Sequence, residues 1–193
     1  MRDALSLSAE TRRKSIHFFT ALIPVSYFFF LSKEQIVVIC IILSMGFAAA
    51  DLMRMYNRTA GTVFMKIFSD LLRDPERSGR FTGATLLFVG LTVSALVFSK
   101  QIAVTSMLFL TLADPVAALI GKRWGRRRIF QKTILGSSGF FSTAVVVTIL
   151  VWGFSWQGIL VAALAACIEL LPVPVNDNLT IPVFSGVLMH YIY

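Results

Sequence analysis

Long apolar stretches separated by clusters of arginine and lysine constrain this chain more than any other feature. A helix needs roughly 17 to 25 mostly apolar residues to cross a bilayer. Runs of that kind fall at 14–31, 35–52, 82–98, 101–120, 138–154, 156–171 and 179–193, the last two being the shortest. None alternates apolar with polar residues as barrel strands do, so the spans are expected to be helical. Hydrophobic residues make up 56% of the 193 positions, against about 45 to 50% in ordinary soluble domains. The expected fold is all-α: a polytopic membrane helical bundle of about seven transmembrane helices, forming one domain over 1–193.

Basic residues set the expected orientation, because Lys and Arg stay on the cytoplasmic side of short loops. Arg2, Arg12, Arg13 and Lys14 precede the first span, and Arg54, Arg58, Lys66, Arg73, Arg77 and Arg80 separate the second from the third. Lys122, Arg123, Arg126, Arg127, Arg128 and Lys132 follow the fourth, whereas the alternate loops carry only Lys33 and Lys100. The N-terminus is therefore expected inside. The net charge of +8 then reflects topology beside anionic lipid, and no nucleic-acid partner is expected.

Cys40 and Cys167 both fall in predicted spans without metal-ligand spacing and read as buried small hydrophobes. No short apolar segment with a small-residue cleavage site opens the chain, so the first span is expected to remain as an anchor.

The longest stretch outside the spans runs from Met53 to Phe81. Within it Val63, Phe64, Ile67, Phe68, Leu71 and Leu72 recur at helical spacing with Lys66, Asp70 and Arg73 opposite, the pattern of an interfacial amphipathic helix. Such a helix serves either as a strut on the membrane surface or as a lid. Arg73 to Arg80, with Pro75 and Gly79, reads as a solvated turn. The small residues Thr82, Gly83, Ala84 and Thr85 then permit either close helix packing or approach of a ligand to the backbone.

Four acids sit within or against apolar runs, where carboxylates are costly and usually functional. With the predicted orientation, Asp51, Asp114, Glu169 and Asp177 converge on one membrane leaflet, level with the densest basic loops. That arrangement suits an anionic, metal-bound substrate. In the fourth span Asp114, Ala118, Gly121 and Gly125 share a helical face, and Pro115 removes a backbone donor beside the acid. Asp114 is either functional or simply paired with an arginine.

Lys132 beside Thr133, Gly136 and Ser137 reads as a phosphate cradle at a helix start, while Arg126 to Arg128 read more readily as positive-inside topology anchors. His17 lies one turn from Arg13 and Lys14, as a functional group or an interfacial cap. Asp177 or Asn178 alternatively serves as the N-cap of the last helix. No GxxxxGK[ST] loop and no kinase glycine loop is present.

Taken together, RKSIH at 13–17, TGAT at 82–85, ADPVAALIGKRWG at 113–125, KTILGS at 132–137 and ELLPVPVNDN at 169–178 resemble the polyprenol kinase family. That family comprises dolichol kinase, phytol kinase and CTP-dependent diacylglycerol kinase, and is distantly similar to phosphatidate cytidylyltransferase. The resemblance runs in order from Arg13 to the last span. It implies an integral membrane enzyme whose active site faces the cytoplasm and which uses CTP with Mg²⁺ to phosphorylate a lipid alcohol.

Carried over residue by residue, the resemblance implies phosphate or nucleotide contacts for Arg13, Lys14, Gly121, Gly125, Lys132, Thr133, Gly136, Ser137 and Asn178. His17, Asp114, Glu169 and Asp177 also match the family's motifs, and a physical mechanism fits that placement: Asp114 with Asp177 or Glu169 is expected to hold the metal, Asp114 and Asp177 to be catalytic, and Asp51 or His17 to accept the hydroxyl proton. Ala113, Leu135 and Asn176 depart from the family pattern, where Gly, Glu and Asp are common; Leu135 weakens a cytidylyltransferase role most. That enzyme and an ion-coupled transporter are the competing readings, although transporter sites tend to lie at the midplane of repeated halves.

Overall fold

The computed structural model describes residues 7–193 and is all-α apart from one short hairpin. Arg2, counted above in the N-terminal basic cluster, lies outside the described residues. Helices occupy each of the seven apolar stretches, with bounds set by local chemistry.

The first stretch is broken. Helix α1 (Leu7–Thr20) meets α2 (Leu22–Phe29) at Ala21, whose N–H donates to the Phe18 carbonyl at 3.1 Å, three residues back. Pro24 lacks the N–H that would have bonded the Thr20 carbonyl, so the helix turns tightly one turn before it. Helix α3 (Lys33–Tyr56) extends beyond 35–52 because Ser32 and Gln35 cap each other's backbones at its start.

The predicted amphipathic helix is α4 (Arg58–Phe68), capped by Asn57 and without a buried residue. The segment read as a solvated turn instead contains α5 (Asp74–Arg77), whose buried Glu76 accepts N–H bonds from Arg73 at 2.9 Å and Gly83 at 2.8 Å. Gly83 opens α6 (Gly83–Val97).

The fourth stretch is one rod: α7 (Lys100–Leu108), a π-helical segment (Phe109–Ala113), then α8 (Asp114–Trp124). The wide turn falls where Pro115 removes the bond to the Thr111 carbonyl, a common setting for π-bulges at functional sites. This rod is the bundle's axis. It packs against α1, α2, α6, α9 (Ile134–Trp152) and α11 (Asp177–Ile192), while α10 (Trp156–Leu170) packs on α9 and α11, and most of the rod's residues are buried.

Between α8 and α9 the chain forms strands β1 (Arg128–Ile129) and β2 (Lys132–Thr133), which sequence reading did not anticipate. Helix α11 starts at Asp177, earlier than predicted, and its N-cap is Asn176, whose side chain accepts from the Asn178 N–H at 3.0 Å; neither Asp177 nor Asn178 is the cap.

Lys33–Tyr56, Lys100–Trp124 and Ile134–Trp152 are long and apolar enough to cross a membrane, and Gly83–Val97 and Trp156–Leu170 are shorter apolar helices. The outer helices α3 and α9 expose Val38, Ile42, Met45, Val146 and Leu150, an apolar exterior of the kind that marks contact with lipid. In lipid, helix association rests on close packing rather than on hydrophobic exclusion. Gly90 supplies such an approach, for a Cβ there would lie 2.4 Å from the Asn178 carbonyl oxygen on α11. Cys40 is buried as expected, whereas Cys167 is exposed on the outer side of α10, and both are free thiols.

Candidate active site

One cleft of about 480 Å³ gathers most of the residues singled out by sequence. Its walls come from α1, α5, α8, the hairpin and the adjoining ends of α9, α10 and α11. Lys14, Asp114, Gly121, Lys132, Thr133, Gly136, Ser137, Glu169 and Asp177 all line it.

At the floor, Asp114 begins the post-bulge helix and is buried. The Lys14 ammonium, also buried, donates to its Oδ2. His17, one turn further along α1, brings Nδ1 to 3.8 Å from the same oxygen, and that nitrogen has no hydrogen-bond partner. A carboxylate and an ammonium withdrawn together from water satisfy each other, but neither tolerates loss of the other.

At the opposite wall, Lys132 lies 2.9 Å from Glu169 Oε1 and 2.9 Å from Asp177 Oδ2, and also donates to the Glu169 carbonyl. Ser137 Oγ donates to Glu169 Oε2 at 2.9 Å. The β-hairpin explains this convergence: register pairs Ile129 with Lys132 and aims the lysine at the C-terminal end of α10 and the start of α11. Burial alone would lower the Lys132 pKa, but Asp177 and Glu169 outweigh it and hold the amine above its ordinary value.

Gly121 and Gly136 let α8 and α9 meet at this level. A Cβ on Gly136 would stand 2.8 Å from the Ala117 carbonyl oxygen and 3.2 Å from Gly121 Cα. Gly125 plays the same packing part just outside the cleft lining, where a Cβ would reach Thr133 Oγ1 at 2.5 Å.

Four other sequence candidates lie outside the lining. Arg13 pairs with Glu10 one turn back on α1, with Nη2 2.7 Å from Oε1. His17 sits behind Asp114. Asn178 donates its side-chain amide to the Gly83 carbonyl at 2.6 Å, joining α11 to α6. Asp51 accepts from Arg54 Nε at 2.6 Å, from Thr82 N–H at 2.8 Å and from Thr85 Oγ1 at 2.6 Å, fixing the start of α6 to α3. Thr82 itself caps α6, and both threonines of the 82–85 segment are engaged by Asp51.

The structure adds Arg73, Asp74, Lys122 and Arg128, which sequence reading treated as solvated or as anchors, and Glu10 and Gln131, which it did not single out. Glu10 stands four residues before Lys14, hence on the same helical face, a spacing that points to it in retrospect. Burial and the neighbouring Arg13 lower the Arg73 pKa, although it remains a cation at any physiological pH. Facing carboxylates and cations in one cleft suit a substrate carrying several phosphate groups. Among the described residues no three acidic, His or Cys side chains are close enough to enclose a metal by themselves. Mg²⁺ does not require such a cage, since one or two carboxylates plus substrate phosphates ordinarily hold it, and the oxygen donors of Glu169 and Asp177 fit that chemistry.

No family model matches the chain, and no solved structure does. Among curated proteins, an uncharacterized protein of Rickettsia prowazekii is 28% identical over 183 residues, covering 90% of this chain and 89% of that protein. CTP-dependent diacylglycerol kinase 1 of Schizosaccharomyces pombe is 28% identical over 159 residues, 72% of this chain and 69% of the yeast protein. CTP-dependent diacylglycerol kinase 1 of Eremothecium gossypii is 25% identical over 173 residues, 74% of this chain but 54% of its own length. This chain is thus similar over most of its length to proteins of the CTP-dependent diacylglycerol kinase group, and that likeness supports a lipid kinase.

Proposed function

We propose that this chain is a membrane-embedded kinase that transfers the γ-phosphoryl group of CTP to the hydroxyl of a lipid alcohol. The observation that carries the proposal is the cleft itself: Lys132 tethered between Glu169 and Asp177 on one wall, and the Lys14–Asp114 pair on the other. The likeness to two diacylglycerol kinases favours diacylglycerol over polyprenol, dolichol or phytol as the acceptor. All seven apolar helices span the bilayer in this reading, with the N-terminus and the cleft on the cytoplasmic side where CTP is found.

Phosphoryl transfer depends on positioning and on neutralising phosphate charge rather than on covalent chemistry by the protein. Lys132, Lys14 and Arg73 would grip the triphosphate from three sides. Glu169 and Asp177, with Asp114 near them, would hold Mg²⁺ against it. The metal, when bound, neutralises charge on the phosphate oxygens. The lipid hydroxyl enters from the apolar side, its oxygen bonds the γ-phosphorus as the bond to CDP breaks, and its proton passes to a carboxylate. Asp114 lines the cleft, whereas Asp51 and His17 do not, so a general base is best sought at Asp114.

The test follows γ-labelled CTP with purified protein, Mg²⁺ and a panel of lipid alcohols, with ATP and phosphatidate as controls. Label on a lipid from CTP and not from ATP supports the reading and names the acceptor. Label released as pyrophosphate with phosphatidate would replace it with a cytidylyltransferase.

A further inference from the structure

A second, smaller cavity of about 170 Å³ lies beside the cleft, between the hairpin and the loop at 171–176 that joins α10 to α11. The two cavities share Arg73, Gln131, Lys132 and Asp177 as wall residues. A ligand whose phosphates meet Lys132 in the cleft therefore has its far end at the mouth of the side cavity.

The hairpin tip forms one wall. Register pairs Ile129 with Lys132 across a two-residue turn of Phe130 and Gln131. Phe130 sits at φ 56°, in the left-handed region that turns of this kind normally give to glycine or asparagine. A bulky aromatic residue there is strained, and Phe130 is 62% exposed, so neither backbone geometry nor core burial accounts for the residue. Strain of this sort marks functional positions when the surroundings hold it in place.

The 171–176 loop forms the opposite wall. Pro172 and Pro174 have no N–H, and the Val173 N–H is occupied by the Leu171 carbonyl at 2.9 Å. Over 172–174 the backbone therefore has no free N–H and offers only carbonyl oxygens, which accept from an amino group and repel another carbonyl.

We infer that this side cavity is a nucleobase subsite, in which the Phe130 ring stacks on an amino-bearing pyrimidine and the 171–176 loop carbonyls accept from its exocyclic amine. The inference rests on the CTP-dependent kinase reading and gives it a location for base selection. Aromatic side chains stack on every base, so Phe130 supplies affinity, and the carbonyl wall supplies preference for cytosine over uracil, which carries a carbonyl at the same ring position. A cavity of about 170 Å³ has room for a pyrimidine ring.

The experiment measures equilibrium binding of CTP, UTP and inorganic tripolyphosphate to the full chain in detergent micelles, for wild type, Phe130→Gly and Phe130→Trp. Glycine relieves the backbone strain, so Phe130→Gly is expected to fold with an unchanged or raised Tm. Loss of stacking should weaken CTP binding about tenfold, leave tripolyphosphate binding unchanged, and be rescued by Phe130→Trp. Wild type should bind CTP more tightly than UTP. Equal CTP affinity in wild type and Phe130→Gly, or parallel losses for CTP and tripolyphosphate, would overturn the subsite. CTP binding that behaves as expected without any lipid phosphorylation would keep the subsite and remove the kinase reading, and wild type that fails to bind CTP would remove both.

Discussion

The Lys14 ammonium is bound to the Asp114 carboxylate across 100 positions of sequence, both side chains buried where α1 meets the central rod. This pair joins the first helix to the only wide turn of the axis, and it closes the floor of the cleft.

Breaking that pair from one side leaves an uncompensated buried charge, which costs about 3 to 5 kcal/mol, whereas replacing both partners with apolar residues of similar volume is often neutral. Lys14→Met and Asp114→Leu should each lower resistance to unfolding in mixed micelles, and the double variant should recover most of it. Turnover should stay absent in the double variant if Asp114 has a chemical role. An active double variant would reduce the pair to scaffolding.

Asp51→Ala should be destabilising by a similar amount, about 3 to 5 kcal/mol, because Arg54 and the start of α6 lose a buried anion. Asp51→Asn, which keeps an acceptor for the threonine hydroxyls, should lose less stability and keep the shape of the pH–rate profile. Loss of one limb of that profile in folded Asp51→Asn would restore a proton-accepting role to it.

Gly136→Ala should cost about 1 to 3 kcal/mol through overpacking, since its Cβ meets backbone of α8. Gly46→Ala is the matched control. A Cβ at Gly46, within α3, meets nothing within 4 Å, and the change should add about 0.5 to 1 kcal/mol by reducing unfolded-state freedom. Thermal unfolding of both variants checks the contrast, and equal effects would argue against a close α8–α9 contact.

Burial would raise the Glu10 pKa, but Arg13 at 2.7 Å outweighs it and the net shift is downward from 4.5. A carboxyl lowered in the folded state contributes stability that is present above the unfolded value and lost as pH falls through the folded one. Glu10→Gln should therefore lower Tm at neutral pH, and the gap from wild type should narrow once pH drops well below 4.5. A gap independent of pH would show that Arg13 contributes little to the carboxylate.

Positions of the apolar helices were legible because each needs only a run of apolar residues, and the capping residues Ser32, Thr82, Thr133 and Ser155 sharpen the starts of α3, α6, α9 and α10. Lys132, Glu169 and Asp177 were legible as chemistry, being charged groups beside membrane helices. Their mutual contact was not, because the hairpin that aims Lys132 has strands of two residues, too short to show a period. Arg73 and Glu10 were overlooked for a related reason: a charge near a helix end looks solvated until tertiary packing encloses it.

By itself the sequence determined the helical class, the apolar exterior and the set of polar residues with no comfortable place in lipid, since those follow from local composition and bilayer thickness. Only the tertiary structure decided which of them face one another. Lys14 and Arg13 are neighbours in sequence, yet the 100° step of an α-helix sends one to Asp114 and the other to Glu10. Asp51 and Asp114 are both buried acids, yet one caps a helix and the other lines the cleft, because partners dozens of residues away set what a buried carboxylate does.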